Sequence, residues 1–199
     1  MRSLLAISKF IDFINTKVAQ AVIWLTLLMA AVSAGNAIYR KVFNNSSNAW
    51  LEIQWYLFGA VVLLAASYTF LKNEHVRVDV INSHLKERTQ VIIDIIGVLF
   101  FIMPACGLIV YLSWPFFVQS YVSGEMSSNT GGLIRWPVKL LIPIGFSLMI
   151  LAGLSHLIKC IAFLRGLAPN PLRKAKSSDE MLLDELKSKN QEATNNNEA

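Results

Sequence analysis

Residues 140–158 read LLIPIGFSLMILAGLSHLI, nineteen positions without Asp, Glu, Lys or Arg, closed at either end by Lys139 and Lys159. As a helix this run covers about 28 Å, close to the roughly 30 Å hydrocarbon thickness of a bilayer. A second uncharged run, IQWYLFGAVVLLAASYTFL, fills 53–71. A soluble domain carries about a quarter charged residues. This chain carries 16%, with 54% hydrophobic, and its charges avoid long stretches. Such runs read as membrane-spanning helices.

Two further apolar segments complete an all-α integral membrane protein of four transmembrane helices, with spans at about 18–38, 50–71, 91–114 and 138–164. The first is read as a retained span, because the 17 residues before it make an over-long, half-apolar leader for a cleaved signal peptide. Before it, LLAISKFIDFIN (4–15) places Leu4, Ile7, Ile11 and Ile14 on one face, which predicts an N-terminal amphipathic helix lying in the membrane surface. Pro104 predicts a kink in the third span. The second outer loop is expected from Pro115 to Pro137, with the glycines of TGGLIR supplying flexibility. In the middle loop, Asp79 is placed to cap a short amphipathic helix through Val80, Ile81 and Leu85. The membrane domain is therefore 1–165, and 166–199 reads as a mostly disordered tail, with a short helix at Ser177 to Lys189.

Orientation follows from Lys and Arg. The N-terminal segment has three, the middle loop four and the C-terminal side seven, fourteen against the four of Arg40, Lys41, Arg135 and Lys139. Both termini are expected in the cytoplasm. Trp50, Trp55, Trp114 and Trp136 gather at the opposite ends of the spans, as an aromatic belt does. The net charge of +5 then points to anionic lipid headgroups, not nucleic acid. Cys106 and Cys160 both lie in apolar segments and read as packing residues.

Few residues could carry chemistry. Glu52, in the opening turn of the second span, shares a face with Tyr56, Gly59 and Ala66, whose small members allow close helix approach. Either Glu52 makes a buried contact with a partner or an ion, or it is an interfacial carboxylate near water. His156 and Lys159 lie one turn apart, in line with Gly145 and Ala152, and read as a packed histidine and a helix-end cation. Asp94 reads as an interfacial residue. A metal site at His75 and Asp79 lacks a well-placed third ligand, and one histidine in a span does not support haem. Neither a metal nor any other cofactor is expected. GxSxG, HExxH, Walker and CxxC motifs are missing, so no catalytic residue is assigned and the chain is not read as an enzyme.

Three stretches together carry a resemblance: LEIQWYLFGAVVLLAASYTFLKNEHVRVDV (51–80), SYVSGEMSSNTGGLIRWPVKLLIPIGF (120–146), and the Ser-His-x-x-Lys end of the fourth span. They resemble the small membrane (Q-type) subunit of tripartite ATP-independent periplasmic (TRAP) transporters, over roughly residues 5–165, in the branch named for mannitol or chloroaromatic compounds. The resemblance implies a bacterial inner-membrane, multi-pass subunit. It would scaffold a large sodium-coupled permease subunit that takes up an organic acid delivered by a periplasmic binding protein. It carries over to Glu52, Gln54, Trp55, His75, Arg77 and Asp79, none of them catalytic. Tyr56, Gly59, Ala66, His156 and Lys159 join Glu52, Gln54 and Trp55 as candidates for the partner interface. Two rivals remain at this point: a self-sufficient four-helix proton-coupled exporter, and a membrane anchor for a respiratory enzyme.

Overall fold

The computed structural model describes residues 2–44, 47–73 and 85–172. The expected middle-loop helix with His75, Arg77 and Asp79, and the expected helix within the tail, lie outside the described residues. Among the described residues, four helices are long and apolar enough to cross a membrane. They are α1 (Arg2–Phe43), α2 (Asn48–Leu71), α3 (Glu87–Ser123) and α4 (Trp136–Leu164). Among the described residues there is no strand, only an isolated antiparallel bridge between Met126 and Ile134.

α4 is the axis of the bundle. It packs on α1, α2 and α3, and α1 also packs along α2. Its buried residues include Pro143, Gly145, Ala152, Gly153, Ser155, His156, Leu157 and Cys160. Small residues dominate that set because helices in lipid associate by close backbone approach, not by hydrophobic drive. Gly145 is the tightest point: a Cβ there would lie 2.8 Å from the Leu63 carbonyl oxygen of α2. Phe70, Val98, Ala152 and Leu157 form the core where α2, α3 and α4 meet. Outward, α1 and α3 expose large apolar side chains such as Trp24, Leu27, Phe100, Phe101 and Tyr111.

Two sequence expectations change. The separate surface helix over 4–15 is not a separate element, because α1 is continuous for 42 residues, about 63 Å. No proline or glycine occurs in residues 2–34, and the polar residues Ser8 and Asn15 are buried while Leu4, Ile7, Phe10 and Phe13 face outward. That is the membrane arrangement, in which polar groups turn toward the bundle. The third helix does not stop at Trp114; it continues through Pro115 to Ser123 and closes at Gly124. A proline removes one backbone bond, which a membrane helix tolerates. Next to Pro104 the helix carries a π turn over Val98–Ile102. Pro104 has no N–H for the carbonyl four residues back, and Met103 donates instead to the Val98 carbonyl. The widened turn sits on Gly153, where a Cβ would lie 3.2 Å from Met103 Sδ.

Candidate functional site

The described residues form two polar clusters, one at each end of the bundle. The far end holds the α1–α2 turn and the loop over 124–135. The terminal end is where the chain enters α1 and leaves α4.

At the far end, Asn48, Glu52 and Tyr56 recur every fourth residue and so share one face of α2. All three bind the 124–135 loop. Asn48 Nδ2 donates to the Thr130 carbonyl (3.1 Å), and the Tyr56 hydroxyl to the Ile134 carbonyl (3.1 Å). Glu52 is buried and accepts from the Ser127 hydroxyl, from Asn129 Nδ2 (2.9 Å) and from the Leu133 backbone N–H (2.6 Å). One carboxylate thus satisfies three donors of a loop that would otherwise present them to lipid or water. The TGGLIR glycines are structural, not merely flexible. Gly132 N–H donates to the Asn129 carbonyl at 2.9 Å, and a Cβ on Gly132 would lie 2.4 Å from Ser127 Cβ. Any side chain there would displace Ser127 from Glu52.

A second carboxylate closes the base of the same loop. Glu125 pairs with Lys139 and lies 3.5 Å from Arg135, and Lys139 sits 3.8 Å over the Phe116 ring. The Lys139 ammonium bonded to it holds the Glu125 carboxyl below the usual carboxylate range. Phe117, Tyr121 and Trp136 stack beside it, with Tyr121 and Trp136 edge-to-face at 5.5 Å.

At the terminal end, α1 crosses α4 on a hydroxyl and ion-pair seam. Ser8 Oγ and Ser155 Oγ are 2.7 Å apart, Ser155 Oγ donates to Asp12 Oδ1 (2.6 Å), and Lys159 Nζ meets Asp12 Oδ2 (2.6 Å). Beside it, His156 Nε2 bonds Asp94 of α3 and lies 3.4 Å from Cys160 Sγ, with the Phe70 ring edge-on at 5.4 Å. Asp94, read from sequence as an interfacial residue, thus bonds His156 of α4 through its carboxylate. Asn73 Nδ2 donates to the Pro171 carbonyl (2.7 Å), tying the end of α2 to the chain beyond α4.

The structure thus divides the residues singled out from sequence. Glu52, Tyr56, His156 and Lys159 bind other parts of this chain. Gly59 faces Val138 of α4, with a Cβ position 3.8 Å from Val138 Cγ2. Gln54 and Ala66 are half-buried, while Trp55 is exposed. Sequence reasoning missed Ser8, Asp12 and Ser155, whose signal was available: polar residues at helical spacing in apolar segments. It also missed the reach of Glu52 to Ser127 and Leu133, across a separation that no local pattern announces.

A family model described as tripartite ATP-independent periplasmic transporters, DctQ component, matches residues 29–163, more than half of the chain. No curated protein and no solved structure matches it.

Proposed function

Since the chain belongs to the DctQ-component family of tripartite ATP-independent periplasmic transporters, a family of transporter components and not of enzymes, we propose that this multi-pass inner-membrane protein acts as the scaffold of its complex. The large permease subunit beside it holds the sodium and substrate sites, and a periplasmic binding protein delivers an organic acid. The reading rests chiefly on where charge is missing. Residues 18–39, 53–71, 95–124 and 140–158, the middles of all four helices, hold no Asp, Glu, Lys or Arg. A transporter that moves ions normally places ionisable or broken-helix groups at that depth. The carboxylates nearest the bundle interior, Asp12, Glu52 and Asp94, contact this chain's own side chains and loops.

The contact with the large subunit then falls on faces turned away from α4, for which the exposed Trp55, Phe58 and Val62 of α2 are candidates. The Glu52 stripe, by contrast, holds this chain together. Reconstitution tests the reading. Sodium-driven uptake into proteoliposomes should require this chain, the large subunit and the binding protein together. Glu52→Gln should leave the sodium dependence of uptake unchanged. A shifted sodium or proton dependence with the complex intact would place ion coupling in this chain and end the scaffold reading.

A further inference from the structure

We propose that Asp94, His156 and Cys160 form a binding site for a zinc ion at the terminal end of the bundle. The three come from two helices: Cys160 follows His156 by one turn on α4, and Asp94 reaches in from α3. One carboxylate oxygen, His156 Nε2 and Cys160 Sγ lie within 4.8 Å of one another. His156 and Cys160 are buried, and the Asp94 side chain is 17% exposed.

The contacts converge instead of forming a chain. Asp94 and Cys160 both approach Nε2 of His156, the same ring nitrogen. A thiol–imidazole–carboxylate relay needs the two ring nitrogens, one for each neighbour. A thiol, an imidazole nitrogen and a carboxylate oxygen clustered within 4.8 Å of one another are instead what a cation can draw together. Zinc holds sulfur at about 2.3 Å and nitrogen or oxygen at about 2.0–2.2 Å in a tetrahedron, which sets neighbouring ligand atoms roughly 3.3–3.6 Å apart. The Sγ–Nε2 separation is 3.4 Å. Rotation of the Asp94 carboxylate away from Nε2 opens the remaining edges, and water takes the fourth position.

Charge and ligand softness select the ion. On binding, Cys160 gives up its proton to solvent; an imidazolium His156 likewise loses its Nε2 proton, and a neutral His156 protonated at Nε2 shifts that proton to Nδ1 through solvent. The site then presents a thiolate, a carboxylate and a neutral imidazole, and a divalent ion makes it neutral overall. That matters at this depth, where an uncompensated charge is costly. A thiolate with an imidazole favours zinc over magnesium or calcium, which take oxygen ligands. The ion would pin α3 to α4 beside the Asp12–Lys159 pair. Sequence inspection could not see the site, because Asp94 and His156 are 62 residues apart.

The test uses the full-length chain purified from membranes under reducing conditions, with cobalt(II) alone as the spectroscopic probe. One cobalt per chain should bind and give a thiolate-to-cobalt charge-transfer band, which added zinc abolishes. Cys106→Ser should keep the band, and Cys160→Ser should lose it. Asp94→Asn preserves the shape and a hydrogen bond to His156, so it should fold. It should nevertheless weaken cobalt binding more than about 100-fold, beyond what loss of a ligand-orienting neighbour produces. The proposal is overturned if the wild-type chain shows no band, or if the band or affinity is the same in Asp94→Asn or Cys160→Ser as in the wild type.

Discussion

Glu52 shows how much one side chain can organise in a membrane protein. Its two oxygens receive a hydroxyl, an amide and a backbone N–H from a loop that Asn48 and Tyr56 of α2 each hold by one bond. Glu52→Ala should release that loop: a cysteine introduced at the exposed Ser128 should react with a thiol reagent at least about tenfold faster, reflecting loss of charge-assisted bonds. Glu52→Gln should fall between, since an amide keeps one acceptor but turns a second donor toward Leu133 N–H. Equal labelling of all three would show that the carboxylate does not hold the loop. Glu125 gives a pH-dependent counterpart. Its folded carboxyl titrates below the ordinary value because of Lys139. Its contribution is therefore complete above the unfolded-state value of about 4.3 and is lost as pH falls through the lower folded value. Loop labelling at Ser128→Cys, taken relative to a free thiol at the same pH, should rise on acidification in the wild-type chain, and Glu125→Gln should flatten that rise.

At the scale of helices, glycine position decides what a bulkier residue does. Gly145 lies against the α2 backbone, where a new Cβ would stand 2.8 Å from the Leu63 oxygen, an atom that cannot move without moving the helix. Gly59 faces only the tip of Val138 at 3.8 Å. Gly145→Ala should destabilise the purified chain by about 1–3 kcal/mol through overpacking. Gly59→Ala should be neutral or slightly stabilising, since alanine is the better helix former. Thermal midpoints in one detergent decide it, and equal shifts would mean that α2 and α4 do not approach as described. The same contrast marks what the sequence could tell. Four apolar runs with their charge-free middles were legible because lipid imposes one rule on every residue of a span. Helix ends were less so: Pro115 reads as a stop in water, yet α3 passes through it, and only the αL backbone of Gly124 closes the helix. The polar clusters were least legible, because Glu52 meets Leu133 and Ser8 meets Ser155 through folding that no short window encodes.

For the whole molecule, the remaining question is which end faces the cytoplasm. The spacing of charges fixes the membrane depth: Lys139 and Lys159 bracket α4 twenty residues apart, about 30 Å along the helix, which matches the hydrocarbon core. The far end then presents Arg40, Lys41, Arg135 and Lys139, together with the Trp114, Phe117, Tyr121 and Trp136 cluster. The terminal end and the segments continuing from it hold the other fourteen basic residues. Basic residues near span ends are retained on the cytoplasmic side during insertion, and acidic neighbours do little to change that bias. The far end, with the Glu52-bound loop, should therefore face the periplasm. The measurement is labelling of intact cells with an impermeant thiol reagent, in a background with Cys106→Ser and Cys160→Ser. Ser128→Cys should label, and Ser177→Cys should label only after the membrane is permeabilised. One span, α4, separates the two positions along the chain, so the pattern has only two consistent outcomes. The reverse outcome would put the aromatic end in the cytoplasm and require the large basic excess to have crossed the membrane.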